Sequence, residues 1–361
     1  MAQGKKQNKT ADSGNKGQIV ENVWKAAGGS KESAKTARKT YTAVSKMKKP
    51  QRIIVVAIIL IIAAVFIAAT LIPSFGGWLY GALGIEQPQP AVGNTITSST
   101  KVHFIDVGQG DAILLEQSGQ FALLDAGPPE GRDSLIAYMK SAGVEKLAYV
   151  VMTHPHADHI GGMQKVVETF PTEKVLLPDF ALSDAPTSSL FKNLLQSFID
   201  NDVQAETMQK GAQYTLGSGS ITVLANGLES DNLNLMCPAI LFEAEGFRFL
   251  DTGDAEKANE QVILDSGVNV KADVFSAGHH GSSTSNTKKF LSAVNPQLVV
   301  VSCGKDNSYG HPHKEAMEAF ESVSATVLRT DIGGSIAVGL DENGKIVYAA
   351  TNDIQDTAAA A

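Results

Sequence analysis

Apolar residues along this chain come in three regimes, and the change from one to the next predicts its layout. The first 52 residues are polar, rich in Lys and punctuated by Gly, with no sustained apolar run. Such a segment cannot bury enough apolar surface to fold alone, although residues 20–47 are compatible with a helix lying on a membrane surface. The stretch "IIVVAIILIIAAVFIAATLI" (53–72) holds no charge, and Thr70 is its one polar residue. Twenty helical residues rise about 30 Å, the depth of a hydrocarbon core. The pattern therefore predicts one transmembrane helix, with Pro73, Trp78 and Tyr80 at its exit. Residues 73–100 read as a linker rich in Pro, Ser and Thr.

From residue 101 to 351 short apolar runs are separated by Gly turns. "KVHFIDV", "DAILLEQ" and "FALLDAG" read as strands. "SLIAYMKSAG" then reads as helix, "LAYVVM" as strand, "GMQKVVETF" as helix, "KVLLP" as strand and "LFKNLLQSFID" as helix. The second half repeats the style with "AILFEA", "FRFLDTG", "DVFSAG" and "QLVVVSCG", and a last helix starts near Lys314. Two sheet-rich halves with interspersed helices predict an α+β domain, two sheets packed between helix layers. Residues 352–361, ending in "AAAA", read as a disordered tail.

Charge orients the span. Residues 1–52 carry 13 Lys and Arg against 3 Asp and Glu, with Lys46, Lys48, Lys49 and Arg52 beside the apolar run; the next cation is Lys101. Basic flanks stay on the cytoplasmic side, which predicts a cytoplasmic N-terminus and an extracytoplasmic domain. A cleaved signal peptide fits less well, because the basic region and the apolar run are both too long and no clear A-x-A site follows. Residues 53–361 hold 17 cations against 35 acidic side chains, a balance that argues against broad attraction to nucleic acid. Cys237 and Cys303 are the only cysteines. Two are too few for a disulfide scaffold; an oxidising exterior permits a pair, and burial as small apolar residues is the plainer reading.

Candidate chemistry concentrates in "VVMTHPHADHIGGM" (150–163), where an apolar strand ends in His154, His156, Asp158 and His159. A strand end is a rigid place from which to aim ligands. His154 and His156 can converge on one ion, while Asp158 and His159, at the start of a helix, serve a second; imidazole and carboxylate both bind zinc readily. His103 alternates with Val102 and Phe104 in a strand and calls for no role.

Further motifs form a series around that segment. "FIDVGQGDAILLE", "LLDAG", "THPHADHIGG", "FLDTGDAE", "HHGSSTSN" and "SCGKDNSYGHPH" occur in this order within residues 101–341. The series resembles the metallo-β-lactamase superfamily, and within it the extracytoplasmic domain of the DNA-uptake protein ComEC and its stand-alone relatives. The resemblance implies an αββα four-layer sandwich holding two divalent metal ions. It puts His154 and His156 on the first ion, Asp158 and His159 on the second, and Asp254 of "DTGDA" between them as the bridging carboxylate. Asp251, three residues earlier, is its rival and is expected inside the strand. His311 of "YGHPH" resembles the late histidine that completes the second ion, and His313 is expected at the surface. Asp125 of "LLDAG" is implied as a support behind the ligands.

Adjacent side chains on a strand point opposite ways, so one of His279 and His280 is expected to face the metals, with His280 favoured. Ser282 and Ser283 can donate to a phosphate-like oxyanion, and Lys305 and Asn307 are further candidates around the substrate. No histidine occurs between His159 and His279, where many members of the superfamily supply a third imidazole to the first ion. Asn232 or Asn234 stands there instead, and an amide oxygen admits Mn²⁺ beside Zn²⁺.

The resemblance thus implies a hydrolase that activates water with metal and favours phosphodiesters, and the apolar stretch 53–72 adds a membrane anchor. Asp158 or Asp254 would orient the water, and His279, His280 or His311 would protonate the leaving oxygen. A local rim of Lys288, Lys289, Lys305 and Lys314 would suit a short or single-stranded nucleic acid or a small phosphodiester. Lactones, esters or β-lactams call on the same apparatus. A non-catalytic DNA-uptake or envelope accessory on the same fold would have lost at least one ligand, and the implied set is complete. A role as the DNA channel fails on one spanning helix.

Overall fold

The structure, a computed structural model, describes residues 95–179 and 188–352. The basic segment, the helix expected over 53–72, most of the linker and nearly all of the tail lie outside the described residues. Among the described residues no helix is long and apolar enough to cross a membrane.

The first half runs β1 (Thr100–Phe104), β2 (Ile113–Gln117), β3 (Gln120–Leu124), α1 (Arg132–Ser141), β4 (Leu147–Val151), α2 (Ala157–Ile160), α3 (Met163–Thr169), β5 (Thr172–Leu177), α4 (Ser189–Asp200) and β6 (Gln204–Thr207). It continues through β7 (Gln213–Leu216), β8 (Gly219–Ala225), β9 (Ala239–Ala244), β10 (Phe247–Asp251), α5 (Lys257–Asp265), β11 (Val274–Ser276), α6 (Lys288–Val294) and β12 (Leu298–Val301). The last elements are α7 (Lys314–Ser322), β13 (Thr326–Arg329), α8 (Thr330–Gly333), β14 (Ile336–Leu340) and β15 (Ile346–Ala350).

Two sheets result, one ordered β15-β14-β1-β2-β3-β4-β5-β6 and the other β13-β12-β11-β10-β9-β8-β7. Side-chain alternation explains the layering. Val102, Phe104, Ile113, Leu115 and Leu124 of the first sheet meet Ile240, Phe242, Phe249 and Val300 of the second in a core between the sheets. The intervening Leu114, Leu123 and Val150 point outward onto Leu135, Met139, Val166 and Phe198 of α1, α3 and α4. Leu241, Leu250, Val299 and Val301 likewise face Ile263, Phe290 and Phe320 of α5, α6 and α7. The central strands of each sheet are buried on both faces, so they read as continuous apolar runs. Each fully buried Phe or Leu contributes roughly 1.5–3 kcal/mol. This is the αββα sandwich that the motif series implied.

Strand direction places the site. β3 to β6 run parallel in the first sheet, and β10 to β13 run parallel in the second. Ligands bind beyond the carboxyl ends of parallel strands, and the loops that leave β3, β4, β10, β11 and β12 carry the candidate residues. The first sheet is finished by distant segments: β1 pairs with β14 as well as β2, and Thr97 and Ser98 donate backbone N–H groups to Leu340 O at 2.9 and 3.0 Å.

Candidate metal centre

Beyond β4, Thr153 is locked to Asp125, which follows β3 at φ 54. Thr153 N and Oγ1 donate to the Asp125 carboxylate at 2.9 and 2.5 Å. The same carboxylate takes the Nδ1–H of His159 at 2.7 Å, which turns Nε2 of His159 toward the site. His154 Nδ1 lies 3.1 Å from Thr153 Oγ1. That hydroxyl gives its proton to Asp125, so His154 donates to it and keeps its own lone pair on Nε2. Nε2 of His154 sits 2.8 Å from His156 Nδ1 and 3.6 Å from Asp254 Oδ2. Asp125 therefore supports the imidazoles from behind.

Asp254 lies in the loop after β10 and gathers the rest. Its Oδ1 is 3.3 Å from His159 Nε2 and 3.5 Å from His280 Nε2, and its Oδ2 is 3.5 Å from His279 Nε2. His280 donates Nδ1–H to Ser302 O at 3.1 Å, so its free Nε2 faces the site, 3.4 Å from Asp158 Oδ2. The expectation that His279 and His280 share a strand is corrected here. β11 ends at Ser276, and the pair occupies a tight 3-10 turn with φ of 52 and 54. Two left-handed residues in succession bring both rings toward Asp254 instead of opposing them. Asn286 holds the turn, accepting from Gly278 N at 2.9 Å and donating to Gly278 O at 2.8 Å.

An open cavity of about 270 Å³ covers this cluster, lined by His156, Asp158, Asn234, Asp254, His279, His280 and His311 among others. Asn234 is the amide that reaches it, while Asn232 is exposed and caps the short turn before Cys237. Asn234 Nδ2 lies 3.3 Å from Glu256 Oε1, which turns its oxygen the other way. Asn307 clasps the His311 backbone, accepting from its N–H at 2.9 Å and donating to its carbonyl at 2.7 Å.

Other expected residues fall elsewhere. His313 is half-buried rather than fully exposed: it accepts from Ser283 N at 2.9 Å and contacts Tyr309 O at 3.0 Å. Ser282 is buried with its hydroxyl against Thr284 Oγ1, so neither serine of the pair lines the cavity. Among the described residues, none of Lys288, Lys289, Lys305 and Lys314 lines it. Lys289 bonds Gln261, Lys314 pairs with Glu318, and Lys305 lines a neighbouring cavity of about 580 Å³. Asp251 ends β10, buried below the site. Cys237 and Cys303 are buried and free, and His103 is held between Tyr138 and Glu116.

The donor set suits a cation. His159 Nε2, His280 Nε2, Asp254 Oδ1, Asn234 Oδ1 and His311 Nδ1 are all buried without a hydrogen-bond partner. Burial opposes charge on His159, yet Asp254 and Asp125 hold its pKa well above the usual imidazole range. Burial likewise opposes charge on His280, and Asp254 and Asp111 raise it in the same way. Burial, and then the charge of His159, push His154 well below that range. Asp254 stays ionised against its burial because His159 and His280 hold its pKa far down. The carboxylates thus demand positive charge at the point where the imidazole nitrogens meet. Two residues were missed from sequence: Gln109, which lines the cavity, and Asp111, which groups with His159, Asp254 and His280. Both sit in a Gly-rich turn, "GQGD", whose pattern signals only a change of direction.

Residues 105–190 match the metallo-beta-lactamase superfamily. That superfamily stretch contains Asp111, Asp125 and all of His154 to His159. The chain is also 28% identical to "ComE operon protein 3" of Bacillus subtilis over 261 residues, 67% of this chain and 33% of that protein. It is 26% identical to "Competence protein ComA" of Neisseria gonorrhoeae, over 66% of this chain and 32% of the relative. "Recombination protein 2" of Haemophilus influenzae matches at 27% identity, over 66% of this chain and 28% of its own length. The chain thus spans about a third of the length of the curated relatives it matches. Among solved structures, the metallo-beta-lactamase fold protein YhfI from Bacillus subtilis is 15% identical, covering 69% of this chain and all of its own, with a TM-score of 0.44. The chain is thus similar to the metallo-beta-lactamase superfamily over residues 105–190, and its His/Asp cluster is compatible with metal.

Proposed function

We propose that this protein is a membrane-anchored, metal-dependent hydrolase that cleaves phosphodiesters, with its domain outside the cytoplasmic membrane. The observation that carries the reading is Asp254: its two oxygens lie 3.3 to 3.6 Å from nitrogens of His154, His159, His279 and His280, at the floor of an open cavity. His154, His156, Asp158, His159, Asp254 and His280 would hold two divalent cations, Zn²⁺ or Mn²⁺. Such cations polarise the electrophile and bring the pKa of a water near neutrality. Asp158 reaches the cavity with its carboxylate partly exposed, which supports a role in orienting the attacking water. His279, anchored by Nδ1 against Thr284 Oγ1 at 3.1 Å, and His311 stand where the leaving oxygen would collect a proton. Asn234 offers an amide oxygen to the first cation or to a substrate hydroxyl.

The words "competence" and "recombination" in the relatives' names favour DNA as the phosphodiester. With no lysine on the cavity wall, a short or single-stranded substrate fits better than a long duplex. The test is to assay the full chain, purified in detergent, on bis-p-nitrophenyl phosphate and single-stranded DNA with Mn²⁺ or Zn²⁺. Asp158→Ala serves as the control for contaminating nuclease. Metal-dependent cleavage lost in that variant supports the reading. An enzyme inert to both diesters that opens a lactone or a β-lactam overturns the substrate class.

A further inference from the structure

The turn ahead of β2, residues 108–111, is wedged between the two halves of the site. Gly110, at φ 147, packs on the backbone of Asp158: a Cβ there would stand 2.2 Å from the Asp158 carbonyl oxygen. Asp111 N donates to that same oxygen at 3.2 Å. Gln109 Oε1 accepts from Gly304 N at 3.0 Å, and a Cβ on Gly304 would stand 2.8 Å from Gln109 N. The turn is therefore pinned from both sides, and only glycine permits the approach.

Pinning it there buries the Asp111 carboxylate, which is 3% exposed, among residues already assigned to the centre. Ligand atoms of Asp111, His159, Asp254 and His280 all lie within 4.8 Å of one another. Among the described residues, the ion pairing nearest to this carboxylate is His280 Nδ1 at 3.7 Å. That N–H is already directed at Ser302 O. A carboxylate buried this deeply is poorly compensated by an ion-pair contact as long as 3.7 Å. His159 Nε2, Asp254 Oδ1 and His280 Nε2 are buried without a hydrogen-bond partner, Asp254 Oδ1 lying 3.3 and 3.5 Å from the two nitrogens. One divalent cation answers all four groups.

We propose that Asp111 supplies a carboxylate oxygen to the second cation, alongside His159, Asp254 and His280. The inference rests on the metal-dependent reading above and deepens it. Counting Asp158, the second position then has three carboxylates and two imidazoles, whereas His154, His156 and Asp254 supply the first with one shared carboxylate. Greater oxygen content makes the second position the harder one, better suited to Mn²⁺ than the first.

Metal titration of the full chain in detergent, with equilibrium competition against a chelator, tests this. Wild type is expected to bind two Mn²⁺ ions, and Asp111→Asn is expected to hold the second at least about tenfold more weakly with the first unchanged. Asp111→Cys loaded with Cd²⁺ is expected to show a sulfur-to-metal charge-transfer band that wild type, with its two buried cysteines, lacks. It decides the matter if Asp111→Asn fails to fold by circular dichroism. An unchanged second affinity in folded Asp111→Asn, or a folded Asp111→Cys without the band, overturns the assignment of Asp111 alone. A wild-type chain that binds no divalent cation overturns the metal-dependent reading with it.

Discussion

The two halves of the domain build the centre in opposite ways. In the first half, four candidate ligands occupy one loop and one helical turn, His154 to His159, with Asp125 behind them. In the second half, Asp254, the His279–His280 turn and His311 arrive on three separate loops. The first arrangement is local and prepaid by a single strand end. The second exists only when three strands are in register, so its geometry depends on the whole second sheet. Asp254 joins the two, since it approaches His154 and His159 on one side and His279 and His280 on the other.

That contrast can be broken most forcefully at Asp254. Asp254→Asn should weaken both cations together and lower hydrolysis by more than about 100-fold, whereas His154→Ala should release one cation and retain the other. Metal stoichiometry of the two purified variants separates these outcomes; loss of a single ion from Asp254→Asn would mean the halves are not bridged. A smaller effect is expected behind the first half. Asp125→Asn keeps an oxygen for Thr153 but weakens the grip on His159 Nδ1–H, and metal affinity should fall about 10- to 100-fold. The same competition titration measures it, and an unchanged affinity would make Asp125 a folding residue only.

The mildest test concerns pH and Asp251, three residues before Asp254. Burial first, then Asp111 and Asp125, push the Asp251 carboxyl up to about 8. The folded chain therefore keeps a proton that the unfolded chain releases near pH 4. Its contribution to stability is complete below that pH and is lost as pH rises through about 8. Asp251→Asn removes the titration. In excess chelator, urea unfolding from pH 5 to 8 should favour the variant over wild type progressively, by on the order of 1 kcal/mol per pH unit. Parallel pH profiles would show that Asp251 ionises normally.

The same asymmetry governs how much was legible beforehand. The apolar runs that became β1 to β5 and β9 to β12 could be read because strands buried on both faces are continuously hydrophobic. β8, "GSITVLA", alternates buried and half-buried positions, and β6 is mostly exposed, so neither stood out from its surroundings. The HPHADH segment was readable because its spacing alone groups the ligands. His279 and His280 were read on a strand because nothing in "SAGHHGSS" announces two successive left-handed residues. Asp111 stayed hidden since its importance comes from the close approach of Gly110 to Asp158, a fact of tertiary packing. His313 was misplaced for the same reason: its contacts with Ser283 and Tyr309 join separate loops.

The pairing of β1 with β14 has a consequence for biosynthesis. The strand that opens the domain waits for a neighbour synthesised near its end, so one flank of the first sheet stays uncovered while the ribosome is still working. Such an edge is prone to mispairing. A ribosome stalled before residue 336 should leave a nascent domain more open to protease than one stalled after residue 350.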